Sequence, residues 1–448
     1  MTTSGINQIV LTLDAALHRL GKTVPMPEVE RLAIQIHRTM DNPNRAYHTS
    51  RHVFDVCAGA SPLATLAALY HDIAYFQLDR AFPVDILPGV DSMVERVDQD
   101  FILHIGPKAG LPLRLSAAVF GFSDGARLAP LGGLNEFVSA VIAASVLEPW
   151  LAPAELLTVI ACIEATVPFR PAGADGACMP ESLYRRLALS NTQFGLGCSA
   201  QHLRGITGEA VALANRDVGG FAEPDPAQFL ANTWLLIEES NAALVAVGVY
   251  TVRDYRQALG RMEGFLSFLN PANIFHTFDG IPPTAEFTAL SAAAGQNLEF
   301  ARRYLAGKLS ALAIIEALAM LTGGDCPISM LLGDIASGTE QPAHIEDCLP
   351  PVADHPDVDQ KMLDVFDQGR RAESQRDSSQ SPLTAYVYRH LGESGTLALF
   401  AHAKAMFAEQ TTPAEFLRHV DPALRQAIAH GCAQIAVSRT ALLRALAG

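Results

Sequence analysis

Along most of this chain apolar residues recur at intervals of three and four, the spacing of a helix that buries one face. Ile6, Ile9, Val10, Leu13 and Leu17 set the first such face, and residues 1–40 read as two amphipathic helices. Pro43 then interrupts the pattern before a helix expected to carry His48 and His52, because the residue ahead of a proline is biased away from helical backbone. From about 84 to 134 the chain is rich in Gly and Pro and reads as loops and short helices around an insertion. Helical periodicity resumes over 135–149, 153–166, 200–217, 226–247, 252–268, 286–306 and 307–321. No alternating run is long enough to assert a strand, and no internal repeat is visible. The pattern predicts an all-α fold.

The segment Thr322-Gly323-Gly324-Asp325-Cys326-Pro327 breaks the helices. Its Gly-Gly pair is a weak phosphate cradle, since no Lys-Ser or Lys-Thr follows. Residues 336–381 are polar, contain prolines and carry charge runs such as Asp367-Gln368-Gly369-Arg370-Arg371, so they read as a linker or as a peripheral helix between loops. Helical periodicity returns over 382–448. The expected division is therefore a domain over 1–340, including the N-terminal helices, and a polar linker with a C-terminal helical region over 341–448.

Composition narrows the class. The 448 residues are 49% hydrophobic and 18% charged, enough apolar material for a large core. A formal net charge of −15 without clustered Lys and Arg argues against binding a nucleic-acid backbone. An acidic protein that handles an anionic phosphate needs a cation for local positive charge. The seven cysteines are odd in number and scattered, with no close-spaced pair of zinc-site type, and Cys57 and Cys162 fall in apolar helical runs. Reduced thiols in the cytoplasm are the simple expectation. Residues 1–20 have no basic stretch ahead of an apolar one, and the apolar run 309–321 is short for a bilayer and contains Glu316, so no membrane association is expected. The oligomeric state is open, a homo-oligomer included.

The chemistry concentrates in two short clusters. His48 and His52 stand four apart in Tyr-His-Thr-Ser-Arg-His-Val-Phe-Asp-Val, a helical spacing that puts both on one face, with Asp55 three residues further along the stripe. His71 and Asp72 close the apolar run 63–70, which reads as a buried helix delivering two polar side chains into a dry interior. Burying imidazoles and a carboxylate without partners costs several kcal/mol, roughly the penalty for unpaired polar groups, and a divalent cation satisfies them together.

This arrangement resembles the HD superfamily of metal-dependent phosphohydrolases, whose pattern is a His, then a His-Asp pair, then a distant Asp. The local wording is closest to class I cyclic-nucleotide phosphodiesterases, matched at Tyr47-His48, His52 and Asp55-Val56. The resemblance implies an HD-domain helical bundle with an additional C-terminal helical region. It implies metal binding by His52, His71 and Asp72, and His48 as the general acid that protonates the leaving oxygen. The chain departs from the phosphodiesterases after the pair, where it reads Ala74-Tyr75-Phe76-Gln77-Leu78-Asp79. Small bacterial HD phosphohydrolases are similar at His71 to Tyr75 and at Asn135-Glu136-Phe137-Val138-Ser139-Ala140. For the distant Asp that the resemblance calls for, Asp217 is the best-placed candidate. An apolar helical run ends there, and Gly219-Gly220 suit a left-handed stop. Asp225 and Asp254 are its rivals.

The implied cofactor is one divalent metal ion or two per chain, of Mn, Mg, Fe or Zn, with Asp72 the natural bridge between two cations. Glu136 is a first-turn acid beside an Asn135 cap, a water-activating base or a support for the metal ligands, and Arg170 is either a surface cation or a clamp for phosphate. The implied substrate is a phosphodiester or phosphomonoester of a nucleotide-like small molecule. Two other classes stay open: an HD-type di-iron oxygenase, which would draw further histidines from His104 or His202, and a catalytically silent binding or scaffold protein.

Overall fold

The computed structural model describes residues 4–83, 85–98, 100–244, 248–333, 344–372 and 376–447. The fold is all-α apart from one small sheet. Two compact units divide the chain: Met1–Ala222 with Asn270–Ala294, and Glu223–Leu269 with Gly295–Gly448. The expected boundary at 340 falls within 334–343, outside the described residues, whereas the junctions of the fold lie near 222, 269 and 294.

The first unit is a bundle of α1 (Gly5–Arg19), α2 (Met26–Met40), α3 (Ser50–Cys57), α4 (Pro62–Tyr70), α5 (Phe76–Asp79), α6 (Val90–Met93), α7 (Leu111–Phe120), α8 (Asn135–Leu147), α9 (Pro153–Ala165), α10 (Met179–Phe194) and α11 (Ala200–Asp217). Its centre is α4, α8 and α9, which are apolar nearly all round, as expected for helices covered on every side. Helix α4 packs on α1, α3, α8 and α9, and α11 lies along α9. The start of α4 is set locally: Ser61 accepts the Ala64 N–H at 3.2 Å and Pro62 occupies the first turn. Ser199 caps α11 in the same way through the His202 N–H.

Three expectations need correction here. Residues 84–134 hold an antiparallel sheet, β1 (Val94–Val97), β2 (Asp100–Leu103) and β3 (Arg127–Leu128), in that order. Its strands are too short for a period of two to stand out. Helix α10 has no counterpart in the sequence reading, because only a few of its positions, among them Leu183 and Leu187, are buried apolar ones. Gly219 and Gly220 open a 3-10 turn, Gly219–Ala222, and neither has positive φ, so α11 ends without a left-handed stop.

The second unit contains α12 (Pro226–Ser240), α13 (Val252–Phe268), most of α14 (Thr284–Leu321), α15 (Ser329–Leu332), α16 (Gln360–Gln368), α17 (Pro382–Phe407), α18 (Pro413–Leu417), α19 (Pro422–Ile435) and α20 (Thr440–Ala447). The runs 286–306 and 307–321 are one continuous helix, α14, of 38 residues. Its length and composition would suffice to cross a membrane, but 89% of its most apolar window is buried within the protein. Glu316 on this helix accepts two hydrogen bonds from Arg256, at 3.0 and 3.2 Å. Of the two readings given to 336–381, a linker or a peripheral helix between loops, the described part matches the helix between loops, α16, and one face of it is buried in this unit. Met362, Leu363 and Phe366 of α16 are fully buried, and Arg370, Asp377, Ser379 and Ser381 are buried as well. Its polar composition misleads because those groups satisfy one another rather than water.

Candidate metal centre

The end of α4 supplies the first two groups. Because α4 is buried on all sides, its last turn delivers His71 to the interior, and Asp72 follows on the same turn. His71 Nδ1 donates to the Ala68 carbonyl at 2.7 Å. That bond fixes the ring and aims Nε2 into the site, as carbonyl-anchored metal histidines do. His52 comes from the first turns of α3, and Asp217 is the last residue of α11.

One donor atom from each of His52, His71, Asp72 and Asp217 lies within 4.8 Å of all the others. His71 Nε2 is 3.0 Å from Asp72 Oδ2 and 3.2 Å from Asp217 Oδ1, and His52 Nε2 is 2.9 Å from Asp217 Oδ1. His71 is sealed, with 1% of its side-chain surface accessible, while the other three keep 11–15%. The cluster is therefore sealed at His71 and reached by solvent only along His52, Asp72 and Asp217.

Electrostatics agree with a cation's place. Burial lowers the affinity of His71 for its proton, but Asp72 and Asp217 outweigh it and hold the imidazole well above its ordinary range. Burial works against the charge of both carboxylates too. His71, His48 and His52 nevertheless hold Asp72 low, and His71 and His52 bring Asp217 to about 2. Without a metal, protonated imidazole supplies the positive charge that two adjacent buried carboxylates require.

Glu136 belongs to the same neighbourhood. Burial pushes its carboxyl up to about 7, with Asp72 and Asp217 adding to the rise and Arg170 opposing it. Its Oε2 is buried with no hydrogen-bond partner among the described residues. Gly133, at φ +93°, makes the turn into α8, and a Cβ there would meet Val167 at 3.3 Å. The two imidazoles and two carboxylates of the cluster are a donor set that fits a divalent cation of the Mn, Fe, Zn or Mg kind.

The remaining sequence candidates fall as follows. His48 precedes α3, which begins at Ser50, so it does not share a helix face with His52. The bend before the helix instead brings the two rings to 5.9 Å, and His48 meets Tyr75 edge-on at 4.6 Å. Asp55 is exposed and outside the cluster. Asn135 is no cap: its Oδ1 accepts the Phe76 N–H at 3.1 Å and its Nδ2 donates to Gln77. Arg170 is committed in part, because Nη1 donates to Glu164 at 2.5 Å and Nη2 to the Glu164 carbonyl at 3.0 Å. Glu164 is shared with Arg186, so the trio keeps one net positive charge. Asp225 caps α12 and pairs with Arg371, and Asp254 caps α13 with Thr251. His104 pairs with Glu95 at the sheet, and His202 is exposed on α11; neither joins the cluster.

Sequence reasoning missed Arg45. It is buried, donates to Asp79 at 2.6 and 3.2 Å and to the Asp72 carbonyl at 2.7 Å, and so ties down the backbone of the His-Asp pair. Ser139 and Asn135 of α8 do the same for the following segment, accepting the Ala74 and Phe76 N–H groups. A lone arginine before Tyr47-His48 gave no periodic or motif signal of this role. Comparison with protein-family models, with curated proteins and with solved structures finds no match to this chain.

Proposed function

We propose that the first unit is an HD-type metal-dependent phosphohydrolase that cleaves a phosphoester bond of a nucleotide-like small molecule. The observation that carries this reading is the convergence of His52, His71, Asp72 and Asp217 from three helices into a cluster that is sealed at His71 and partly accessible at the other three. A divalent cation held there would neutralise phosphoryl oxygens and acidify a water molecule. The protein's own groups account for the proton traffic. Glu136, with its carboxyl near 7 and an unpartnered oxygen, suits the removal of a proton from the attacking water. His48, half-exposed beside Tyr75, suits donation to the departing oxygen. The surplus charge of the Arg170–Glu164–Arg186 trio favours an anionic substrate on the Glu136 side.

The test is a hydrolysis screen of the purified full chain, loaded in turn with Mn, Mg, Fe and Zn. Its substrates are cyclic nucleotides, nucleoside mono- and triphosphates and an aryl phosphodiester. Metal-dependent phosphate or alcohol release that is lost in Asp72→Ala is expected. Stoichiometric metal binding with no turnover of any phosphoester would overturn the enzymatic reading.

A further inference from the structure

The second unit encloses a cavity of about 290 Å³ that shares no residue with the metal centre. One end is charged. Lys308, nine-tenths buried in α14, donates to Ser381 Oγ at 3.0 Å and stands 3.7 Å from Asp377. Asp377 Oδ2 is already crowded, accepting from Trp234 Nε1 at 2.6 Å, Tyr255 OH at 2.9 Å and Arg370 at 3.3 Å. Arg370, also buried, sits over the Trp234 ring with its Cζ 3.9 Å from the centroid, and its Nε has no hydrogen-bond partner among the described residues. Two buried cations thus face one buried aspartate whose Oδ2 is fully engaged. Glu238, the other buried acid nearby, is pushed up to about 7 by burial and by Asp377 against the pull of Arg376, so near neutral pH it offsets only part of the excess. Glu346 lines the cavity too, but it is exposed and its charge is screened by water. Apolar residues make up much of the remaining lining: Leu312 and Ile315, on the same helix stripe as Lys308, with Ile328 and Leu332.

We propose that this cavity is a ligand site for a small amphiphilic anion, its carboxylate or phosphate head on Lys308 and Ser381 and its short hydrocarbon body against the Leu312–Ile328 wall. Uncompensated buried positive charge is costly, and an anionic head removes that cost while the body displaces water from apolar surface. The volume limits the ligand to a small molecule. Positive charge beside aliphatic lining selects against neutral and cationic amphiphiles of the same size.

The protein supplies its own reporter, since Trp234 is one of two tryptophans and contacts both Arg370 and Lys308. In full-length Trp150→Phe protein, octanoate and octyl phosphate should each change Trp234 fluorescence saturably and raise the melting temperature. Equal concentrations of 1-octanol or octyltrimethylammonium should do neither. Lys308→Met in that background should weaken octanoate binding at least 10-fold. If circular dichroism shows that variant unfolded, Ser381→Ala decides instead, with several-fold weakening expected. Whichever head binds more tightly names the ligand class. The proposal fails if neither anion gives a saturable response, if octanol binds as well as octanoate, or if the folded variants bind as wild type does.

Discussion

His71 Nε2 and Asp217 Oδ1 lie 3.2 Å apart although 146 positions separate them along the chain. The contact joins the C-terminal end of α4 to that of α11, so two helix ends whose dipoles are negative meet at a pair of carboxylates. Such an arrangement is repulsive unless something cationic sits among the groups. Protonated His71 fills that role in the metal-free protein, and a divalent ion held there would take it over by displacing the proton.

Asp217→Asn should therefore weaken metal affinity by at least about 10-fold, the lower end of what changes around a metal site cost. Asp225→Asn and Asp254→Asn, which keep an acceptor oxygen at helix starts away from the cluster, should bind metal and melt close to wild type. Metal titration by calorimetry reads the difference. Equal affinities across the three variants would remove Asp217 from the site.

His48 sits beside the four clustered residues but is not one of them. His48→Ala should keep its metal and its melting temperature while the hydrolysis rate drops roughly 100- to 10,000-fold, the usual span for acid–base catalysis. Metal analysis of the purified variant next to its steady-state rate makes the separation. A variant that has lost its metal would make His48 a ligand instead.

Much of the site was legible because its residues mark the ends of helices. His71 and Asp72 follow an apolar run that can only be buried, and Asp217 ends another helix. His48 was legible for a partly wrong reason: its spacing of four from His52 suggested one helix face, whereas a bend ahead of α3 brings the rings together. Arg45 and the Glu164–Arg170–Arg186 trio were not legible, since buried ion pairs between distant positions leave no periodic trace. The same holds for 344–381, where polarity suggested solvent and Arg370, Asp377 and Ser381 prove to be interior. A period detects a face that contacts water; it cannot detect polar groups that pair with one another.

Ser139 is buried in α8, and its Oγ accepts the Ala74 N–H at 3.1 Å. Ser139→Ala removes that acceptor and leaves the amide unpaired in the interior, a loss of about 1–3 kcal/mol. Because Ala74 lies two residues past Asp72, metal affinity should fall together with stability. Chemical denaturation alongside metal titration tests the linkage. A stability loss with unchanged affinity would show that the α8 contact supports the fold without positioning the His-Asp pair.

Glu136 gives the last prediction, and its sign follows from the direction of its shift. Burial and the nearby Asp72 and Asp217 raise the carboxyl from 4.5 to about 7, so the folded, metal-free protein holds this proton more tightly than the unfolded chain does. For a raised acid the stability contribution is full below about pH 4.5 and is lost as pH climbs through about 7. At pH 8 the ionised carboxylate, one oxygen of which has no partner among the described residues, then destabilises the metal-free fold by at most about 3 kcal/mol. Glu136→Gln keeps the shape and removes the charge. In the presence of a chelator it should melt several degrees above wild type at pH 8, and the gap should close on titration towards pH 4.5. The same variant should lose roughly 100- to 10,000-fold in metal-dependent hydrolysis if the carboxylate takes the proton from water. Melting curves of both proteins across this range, followed by rate measurements with metal restored, separate the two effects. A stability difference that stays constant with pH would mean that Glu136 does not titrate between folded and unfolded states, and its role as a base would go with it.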